Sequence, residues 1–258
     1  MLKSDNWIQK KSTLPTFVLQ KQDLPIQEDP SVEVHKYDVF TNLSSEDIDK
    51  LIVLGQTSLI GNIVIGYREL TQEEKLFLKP LIYPFVGKKT STLENGQKVP
   101  SFGLSSYGYD LRLGRDFKLF VKDNLRASGE EVIDICNVPD WVADNYFDQD
   151  TFVMPPHSFA LGVSLERICV PRNCSVICMA KSTVSRAGVL AVVTPLESFW
   201  SGYVTIELAN STDFPIRLTS GMGIMQMMFL ESDEQCMADY GQLGGKYQNQ
   251  GSLPQMPM

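Results

Sequence analysis

The strongest constraint on the fold is a series of short strand-like segments that fills the chain from about residue 102 onward. Each segment is either apolar or alternates between apolar and polar residues, and Gly, Pro, Asn or Asp separates it from the next. This spacing is typical of all-β sandwiches and barrels. Only residues 140–146 and 182–187 have a helical pattern in this part, and both stretches are short. The sequence therefore predicts a mainly β domain.

The first 100 residues have a different pattern. Three prolines among polar residues predict an extended arm across 12–35. A capping serine before an apolar stripe predicts a helix across 46–54, and a second helix is predicted across 71–81. The dipeptide Asn95-Gly96 predicts the turn of a polar hairpin across 88–100.

The charge balance excludes some classes of function. The formal net charge is −8 and the sequence pI is about 4.9, which argues against a broad basic surface for nucleic acid or anionic lipid. No stretch is apolar for about 18 residues, and the N-terminus lacks the apolar segment of a signal peptide. The five cysteines include no CxxC pair, so free thiols are expected. We therefore expect a cytoplasmic protein that binds neither nucleic acid nor membrane.

Residues 181–186 (KSTVSR) combine a cation at each end with three hydroxyl groups, and Gly188 follows. In a short helical turn, Lys and Arg can contact a polyphosphate while hydroxyl and backbone N–H groups donate hydrogen bonds. The same pattern also occurs at an ordinary solvated helix start. The segment alone therefore leaves both interpretations open.

The segment VTIELA (204–209) places a lone carboxylate in an otherwise apolar strand. With a period of two, Glu207 shares a face with Thr205 and Ala209, while the apolar residues between them form the other face. Glu207 either faces water in a structural ion pair or is desolvated and tuned for proton transfer, since burying an unpaired charge is costly.

Many segments of the chain occur in the same order and spacing in one family. They are KSDNWI (3–8), LSSYGYDLRLGRDFKLF (104–120), PPHSFALG (155–162), VPRN (170–173), KSTVSR (181–186), VTPLESFWSG (193–202), TIELANST (205–212), GIMQMMFLESDE (223–234) and GGKYQNQG (244–251). The chain closely resembles the dCTP deaminases, in particular a bacterial subgroup with KSTYAR, VTPFEPEW and TLE segments. The resemblance implies a dUTPase-like β-barrel or jelly-roll-like fold with few short helices. It also implies a homotrimer whose active sites lie between neighbouring subunits.

The chain departs from this family most clearly before residue 84. We expect a family N-terminal segment at 1–11, a lineage-specific and partly helical insertion at 12–82, and a deaminase domain at 83–258. Within that domain, residues 240–258 are expected to form a lid.

Smaller departures lie near the expected pocket. Ala180, Ser185 and the pair Ser198-Phe199 replace residues that are usual in the family. They leave the preference for dCTP over dCMP open.

The resemblance implies hydrolytic deamination of dCTP to dUTP and ammonia in pyrimidine deoxynucleotide metabolism. On this model Glu207 shuttles a proton from water to the pyrimidine and then to the amine, Ser182 positions the water, and Arg186 holds Glu207 in place. Thr205 and the backbone around Ile206 are expected to contact the base or the sugar.

The triphosphate is expected to lie against the basic segment and the C-terminal tail, which orders over it. The residues implied to bind the substrate are Lys181, Ser182, Thr183, Val184, Ser185, Arg186, Thr205, Ile206, Glu207, Gln226, Tyr240, Lys246 and Gln250. Feedback control by dTTP occurs in relatives, so dTTP is a candidate inhibitor.

No zinc site is expected at the reacting carbon. Zinc deaminases carry HxE and PCxxC segments, whose His and Cys hold the metal that activates water. This chain has two histidines, His35 and His157, neither is followed by xE, and PCxxC is absent. The expected metal is Mg²⁺ bound to the triphosphate.

Other functions stay open at this stage. Glu197 lies near the position of a second carboxylate, which a bifunctional deaminase and dUTPase would use to cleave dUTP, and a pure dUTPase is a related alternative. A deaminase that prefers dCMP is a third. A non-catalytic nucleotide-binding regulator is the fourth, although it would not need Glu207, Ser182 and Arg186 together.

Overall fold

The computed structural model describes residues 1–12, 17–18, 66–67, 80–234 and 236–257. The chain forms two compact units, Thr13–Pro80 and a larger one that joins Met1–Ser12 to Leu81–Met258.

In the smaller unit the described residues are strands β1 (Phe17–Val18) and β2 (Gly66–Tyr67), which pair antiparallel. The helix predicted across 46–54 lies outside the described residues, as does the helix predicted across 71–81 apart from Pro80 and Leu81. The assignment of 12–82 as an insertion stays a prediction.

The larger unit consists mainly of strands, so the predicted mainly β fold is confirmed. Its helical elements are α1 (Asp5–Ser12), α2 (Lys122–Ala127), a 3₁₀ turn (Asp140–Val142) and α3 (Ser182–Arg186). Its strands are β3 (Ile82–Tyr83), β4 (Thr90–Thr92), β5 (Lys98–Ser105), β6 (Gly108–Phe120), β7 (Ala143–Tyr146), β8 (Thr151–Met154), β9 (Phe159–Cys169), β10 (Cys174–Ala180), β11 (Val189–Val192), β12 (Ser201–Asn210), β13 (Ile216–Thr219) and β14 (Gly223–Glu231).

The main sheet runs in the order β10-β14-β6-β9-β12-β11, and its strand pairs are antiparallel. The long strand β6 pairs with different strands along its two halves. Its first half pairs with β5 and β14, and its second half pairs with β7 and β9. Gly114 lies between the halves, where an added Cβ would come 2.8 Å from the carbonyl oxygen of Val163. A glycine is therefore needed where β6 passes from one set of partners to the other.

Alternating side chains from these strands fill one core. In β12, Val204, Ile206 and Leu208 are at most 2% exposed, while Thr205 and Glu207 are partly exposed. The predicted alternation of this strand is therefore confirmed. The buried face fixes the register of β12, because a slip by one residue would turn its apolar side chains outward.

Two local predictions and one helix that was not predicted can be compared with the described elements. The hairpin on Asn95-Gly96 is present, with β4 and β5 as its arms and Gly96 at a φ of 84°. Residues 140–146 form one 3₁₀ turn followed by strand β7, because β7 pairs with the second half of β6. Helix α2 was not predicted, and none of its side chains is buried. Among the described helices, none is long and apolar enough to cross a membrane.

One buried ion pair joins the two central strands. Glu166 of β9 is fully buried, and its carboxylate accepts hydrogen bonds from Arg112 Nε (2.5 Å), from the Arg112 backbone N–H (2.9 Å) and from the Tyr109 hydroxyl (3.2 Å). A buried carboxylate needs a cation and several donors to offset its lost hydration. This network therefore fixes β6 against β9.

Removing the cation of this pair should be costly. We expect Arg112→Met to lower the free energy of unfolding by about 3–5 kcal/mol, because Glu166 is left buried without its partner. Arg115→Met is the control on the same strand, since Arg115 contacts the exposed residues Asp148 and Asp150. It should cost much less than Arg112→Met, because exposed ion pairs are screened by solvent. Urea unfolding measures both, and equal losses would contradict the assignment.

Candidate active site

A cavity of about 460 Å³ is bounded by β9, β12, the connection from β11 to β12, and the C-terminal tail. Its walls are partly aromatic, with Phe120, Phe159 and Trp200 among them. Its polar groups include Thr205 and Glu207 of β12. An apolar enclosure with a few polar side chains is typical of a small-molecule site.

Glu207 lies between the neighbouring strands, opposite Val192 of β11 and Leu161 of β9. Its Oε2 atom is buried and has no hydrogen-bond partner among the described residues. Burial raises the pKa of the Glu207 carboxyl above its ordinary value, and a backbone hydrogen bond offsets this only in part. The Glu207 carboxyl is therefore desolvated, and its role in proton transfer stays a prediction.

The thiol of Cys178, on β10, is affected by the same carboxylate. Burial raises the pKa of Cys178 to about 12, and the negative charge of Glu207 adds to the rise. The thiol therefore stays protonated near Glu207 and adds no second negative charge there.

The C-terminal tail is docked along the start of β12. Gly202 forms a parallel bridge with Gln250, the Asn249 N–H donates to the Ser201 carbonyl (2.8 Å), and the Tyr203 N–H donates to the Gln250 carbonyl (3.0 Å). Gly202 has a φ of 151°, and an added Cβ would come 2.7 Å from Gln250 N. Glycine at 202 is therefore required for the close approach of the tail.

Other contacts hold both ends of the tail. The Trp200 indole N–H donates to the Tyr247 carbonyl (2.9 Å). Near the start of the tail, Asp239 is 4% exposed and pairs with Arg172 (3.1 Å). Near its end, Met256 is 7% exposed in a cluster with Val142, Ala143 and Leu161. The composition of the tail is mostly polar, so the buried contact of Met256 is not apparent from it. The predicted lid function stays a prediction.

The basic segment lies apart from this cavity. Ser182, Thr183, Ser185 and Arg186 of α3 are exposed, and Val184 is buried in the core.

Lys181 precedes α3 and makes contacts of its own. Its ammonium group donates to the buried carboxylate of Asp110 (2.5 Å) and to Ser101 (3.3 Å). Gln226 of β14 donates to Ser105 (3.3 Å).

Within one chain the predicted site residues therefore do not all meet at this cavity. Thr205, Glu207, Tyr240 and Gln250 line the cavity. The members outside its lining are Lys181, Ser182, Thr183, Val184, Ser185, Arg186, Ile206, Gln226 and Lys246. Ile206 is fully buried on the core face of β12. Among the described residues that line the cavity there is no Lys or Arg.

Several cavity residues had no role assigned from the sequence. Val193, Thr194 and Pro195 belong to the quoted segment VTPLESFWSG, so a signal for them was present. Tyr247 and Gln255 reach the cavity through the docked tail, and Tyr247 belongs to the quoted segment GGKYQNQG whereas Gln255 lies outside the quoted segments. Among the described residues, no group of three or more His, Cys, Asp or Glu could hold a metal ion.

The dCTP deaminase-like family model matches residues 89–232, more than half of the chain. The chain belongs to this family. The dCTP deaminase of Acinetobacter baumannii (strain AYE) is 41% identical to it over 172 residues, which cover 66% of this chain and 87% of that protein. The dCTP deaminase of Francisella tularensis subsp. novicida (strain U112) is 40% identical over 185 residues, with coverages of 71% and 91%. The family inferred from the sequence segments is thus confirmed.

Two solved structures align with this dCTP deaminase-like chain at low scores. The 2'-deoxycytidine 5'-triphosphate deaminase of Agrobacterium tumefaciens has a TM-score of 0.38 and 17% identity, and the alignment covers 61% of this chain and 45% of that chain. EIAV dUTPase has a TM-score of 0.30 and 18% identity, with coverages of 34% and 73%.

The raised pKa of Glu207 has a consequence for stability. The unfolded chain ionises this carboxyl at a lower pH than the folded chain, so ionisation destabilises the fold at neutral pH. Glu207→Gln should therefore raise the unfolding temperature by a few degrees at pH 7. The gain should vanish below the unfolded-state pKa of about 4.3.

Thermal unfolding at pH 7 and pH 4 measures this difference. Glu197→Gln is the control, because Glu197 lines the same cavity but is exposed. An unchanged or lower unfolding temperature for Glu207→Gln at pH 7 would show that the carboxylate is well solvated or paired.

Proposed function

We propose that the protein deaminates dCTP hydrolytically to dUTP and ammonia, with Glu207 as the acid and base. The observation that carries this proposal is the buried, unpartnered Oε2 of Glu207 at the cavity. The relatives at 40–41% identity are named dCTP deaminases, which supports the same substrate. A purely structural carboxylate would be paired, as Glu166 is.

The raised pKa of Glu207 suits this chemistry. Deamination needs a proton removed from water as it attacks C4 and a proton delivered to the pyrimidine and then to the leaving amine. A carboxyl whose pKa is raised towards neutrality can do both, and such catalysis contributes roughly 10²–10⁴-fold in rate. The apolar walls strengthen the interaction of Glu207 with the reacting atoms, because they exclude water.

We further propose a homotrimer in which one subunit supplies Glu207 and its neighbour supplies Ser182 and Arg186. The separation of these groups within one chain supports a shared site. So do the apolar side chains that β10 and β11 expose, since Met179, Leu190 and Val192 are 56%, 53% and 56% exposed. Exposed apolar side chains on the two end strands of the main sheet are typical of a subunit contact.

The proposal includes Mg²⁺ carried on the triphosphate and no zinc at the reacting carbon. Mg²⁺ is usually bound through substrate phosphates and one or two carboxylates, and a site without a dedicated protein cage suits that mode. The absence of HxE and PCxxC from the sequence supports acid and base catalysis by Glu207 without a zinc ion. Inhibition by dTTP and a cytoplasmic location remain parts of the proposal.

The activity test compares three nucleotides. Purified protein is incubated separately with dCTP, dCMP and dUTP, and the products are identified by chromatography. dUTP is included because Glu197 lines the same cavity. Conversion of dCTP to dUTP supports the proposal, and turnover of dUTP alone would contradict it.

Replacing the acid and base should abolish turnover. We expect Glu207→Gln to bind dCTP, because its shape is kept, and to lose at least about 10³-fold in kcat. Calorimetry measures the binding, and ammonia release measures the rate. Glu130→Gln is the matched control on an exposed loop and should keep full activity. Near-normal kcat for Glu207→Gln would refute the mechanism.

The shared site can be tested by mixing inactive variants. Arg186→Ala and Glu207→Gln are unfolded together, refolded as a mixture and assayed. If each site takes one group from each of two subunits, about a quarter of the sites should be intact. Refolding each variant alone is the control. Activity no higher in the mixture than in the controls would place both groups in one subunit.

A further inference from the structure

The hydroxyl group of Thr205 has two donors from the tail. The Gln250 side-chain amide donates to Thr205 Oγ1, and the backbone N–H of Gln255 donates to the same atom at 3.0 Å. Thr205 also lines the cavity, beside Glu207. The tail therefore contacts a side chain that faces the space for a substrate.

These contacts determine what Thr205 can still bind. A threonine hydroxyl has two acceptor lone pairs and one O–H donor. The two tail donors use both lone pairs, so the O–H is left for a ligand. We propose that the docked tail fixes Thr205 as a hydrogen-bond donor and so selects a carbonyl oxygen of the bound pyrimidine. Gln250, Gln255 and Met256 are then positioning residues, which act through Thr205.

The geometry behind this assignment is anchored on both sides of Gln255. On one side Gln250 is 8% exposed and is held by the bridge to Gly202. On the other side Met256 is buried among Val142, Ala143 and Leu161. A backbone N–H held between two fixed points keeps its direction, so its donor function costs little ordering when the ligand binds.

The inference rests on the proposed function, because it names a contact to the substrate of that same site. It reaches beyond that function by assigning a role to residues after the tail bridge at Gln250. A tail that served only as a cover would exclude water but would not depend on one particular N–H group.

A matched pair of variants tests that N–H. Gln255→Ala removes the side chain and keeps the donor, while Gln255→Pro removes the side chain and the donor. We expect Gln255→Pro to raise KM for dCTP about 5- to 30-fold above Gln255→Ala, with kcat changed less than about threefold. Equal KM values for the two variants would overturn the proposal.

The Thr205→Val background separates this effect from backbone distortion by proline. Without the hydroxyl, Gln255→Pro and Gln255→Ala should have the same KM, as a double-mutant cycle requires. A difference that persists in this background would contradict the proposal.

Gln250→Glu tests the polarity directly, because a carboxylate only accepts and would draw the Thr205 proton to itself. It should raise KM, and an unchanged KM would also overturn the assignment.

Amide hydrogen exchange is measured without nucleotide, so it tests the tail contact independently of the proposed deaminase activity. The Gln255 amide should be protected in the wild-type protein and should lose protection in Thr205→Val and Met256→Ala, while Met256→Leu should restore it. Lack of protection in the wild type would contradict the tail contact. Wild-type protein that is protected but does not deaminate dCTP would refute the proposed function and with it the role of the contact in binding dCTP.

Discussion

The alternation of β12 is the constraint on which the site depends. Val204, Ile206 and Leu208 are held in the core, and their burial contributes roughly 1.5–3 kcal/mol each. Because successive side chains point to opposite faces, this packing also directs Thr205 and Glu207 to the cavity. The free energy that holds the two polar side chains in place therefore comes from the apolar face of the same strand. Glu207 stays desolvated without a partner because the core fixes the backbone that carries it.

The two carboxylates Glu166 and Glu207 differ in whether they have hydrogen-bond partners. Both carboxylates lie on central antiparallel strands, and burial disfavours ionisation of both. Glu166 accepts three hydrogen bonds, one of them from the guanidinium group of Arg112, and these contacts keep β6 and β9 together. Glu207 has an unpartnered oxygen at a cavity. An unpaired buried carboxyl destabilises the fold, and this makes Glu207 the candidate functional group of the two.

The sequence predicted the parts of the site that depend on local pattern. Strand β12 and the face that carries Glu207 follow from period-two alternation, and α3 follows from the helical pattern of residues 182–187. Contacts across long stretches of chain carried no such signal. Lys181 pairs with Asp110, 71 residues away, although the sequence suggested a free phosphate-binding cation. Met256 is buried near the end of a tail whose composition is polar and rich in glycine.

In the proposed function, one chain has an incomplete set of catalytic groups at its cavity. The surface with Glu207 also has the docked tail and the aromatic walls, so in the proposed function it would provide the acid, the base and the enclosure. The surface with α3 provides exposed hydroxyl groups and a guanidinium group. A cavity whose described lining contains no cation would hold a triphosphate poorly. In the proposed trimer, assembly brings the missing charge to the acid and base, so substrate binding and subunit association stabilise each other.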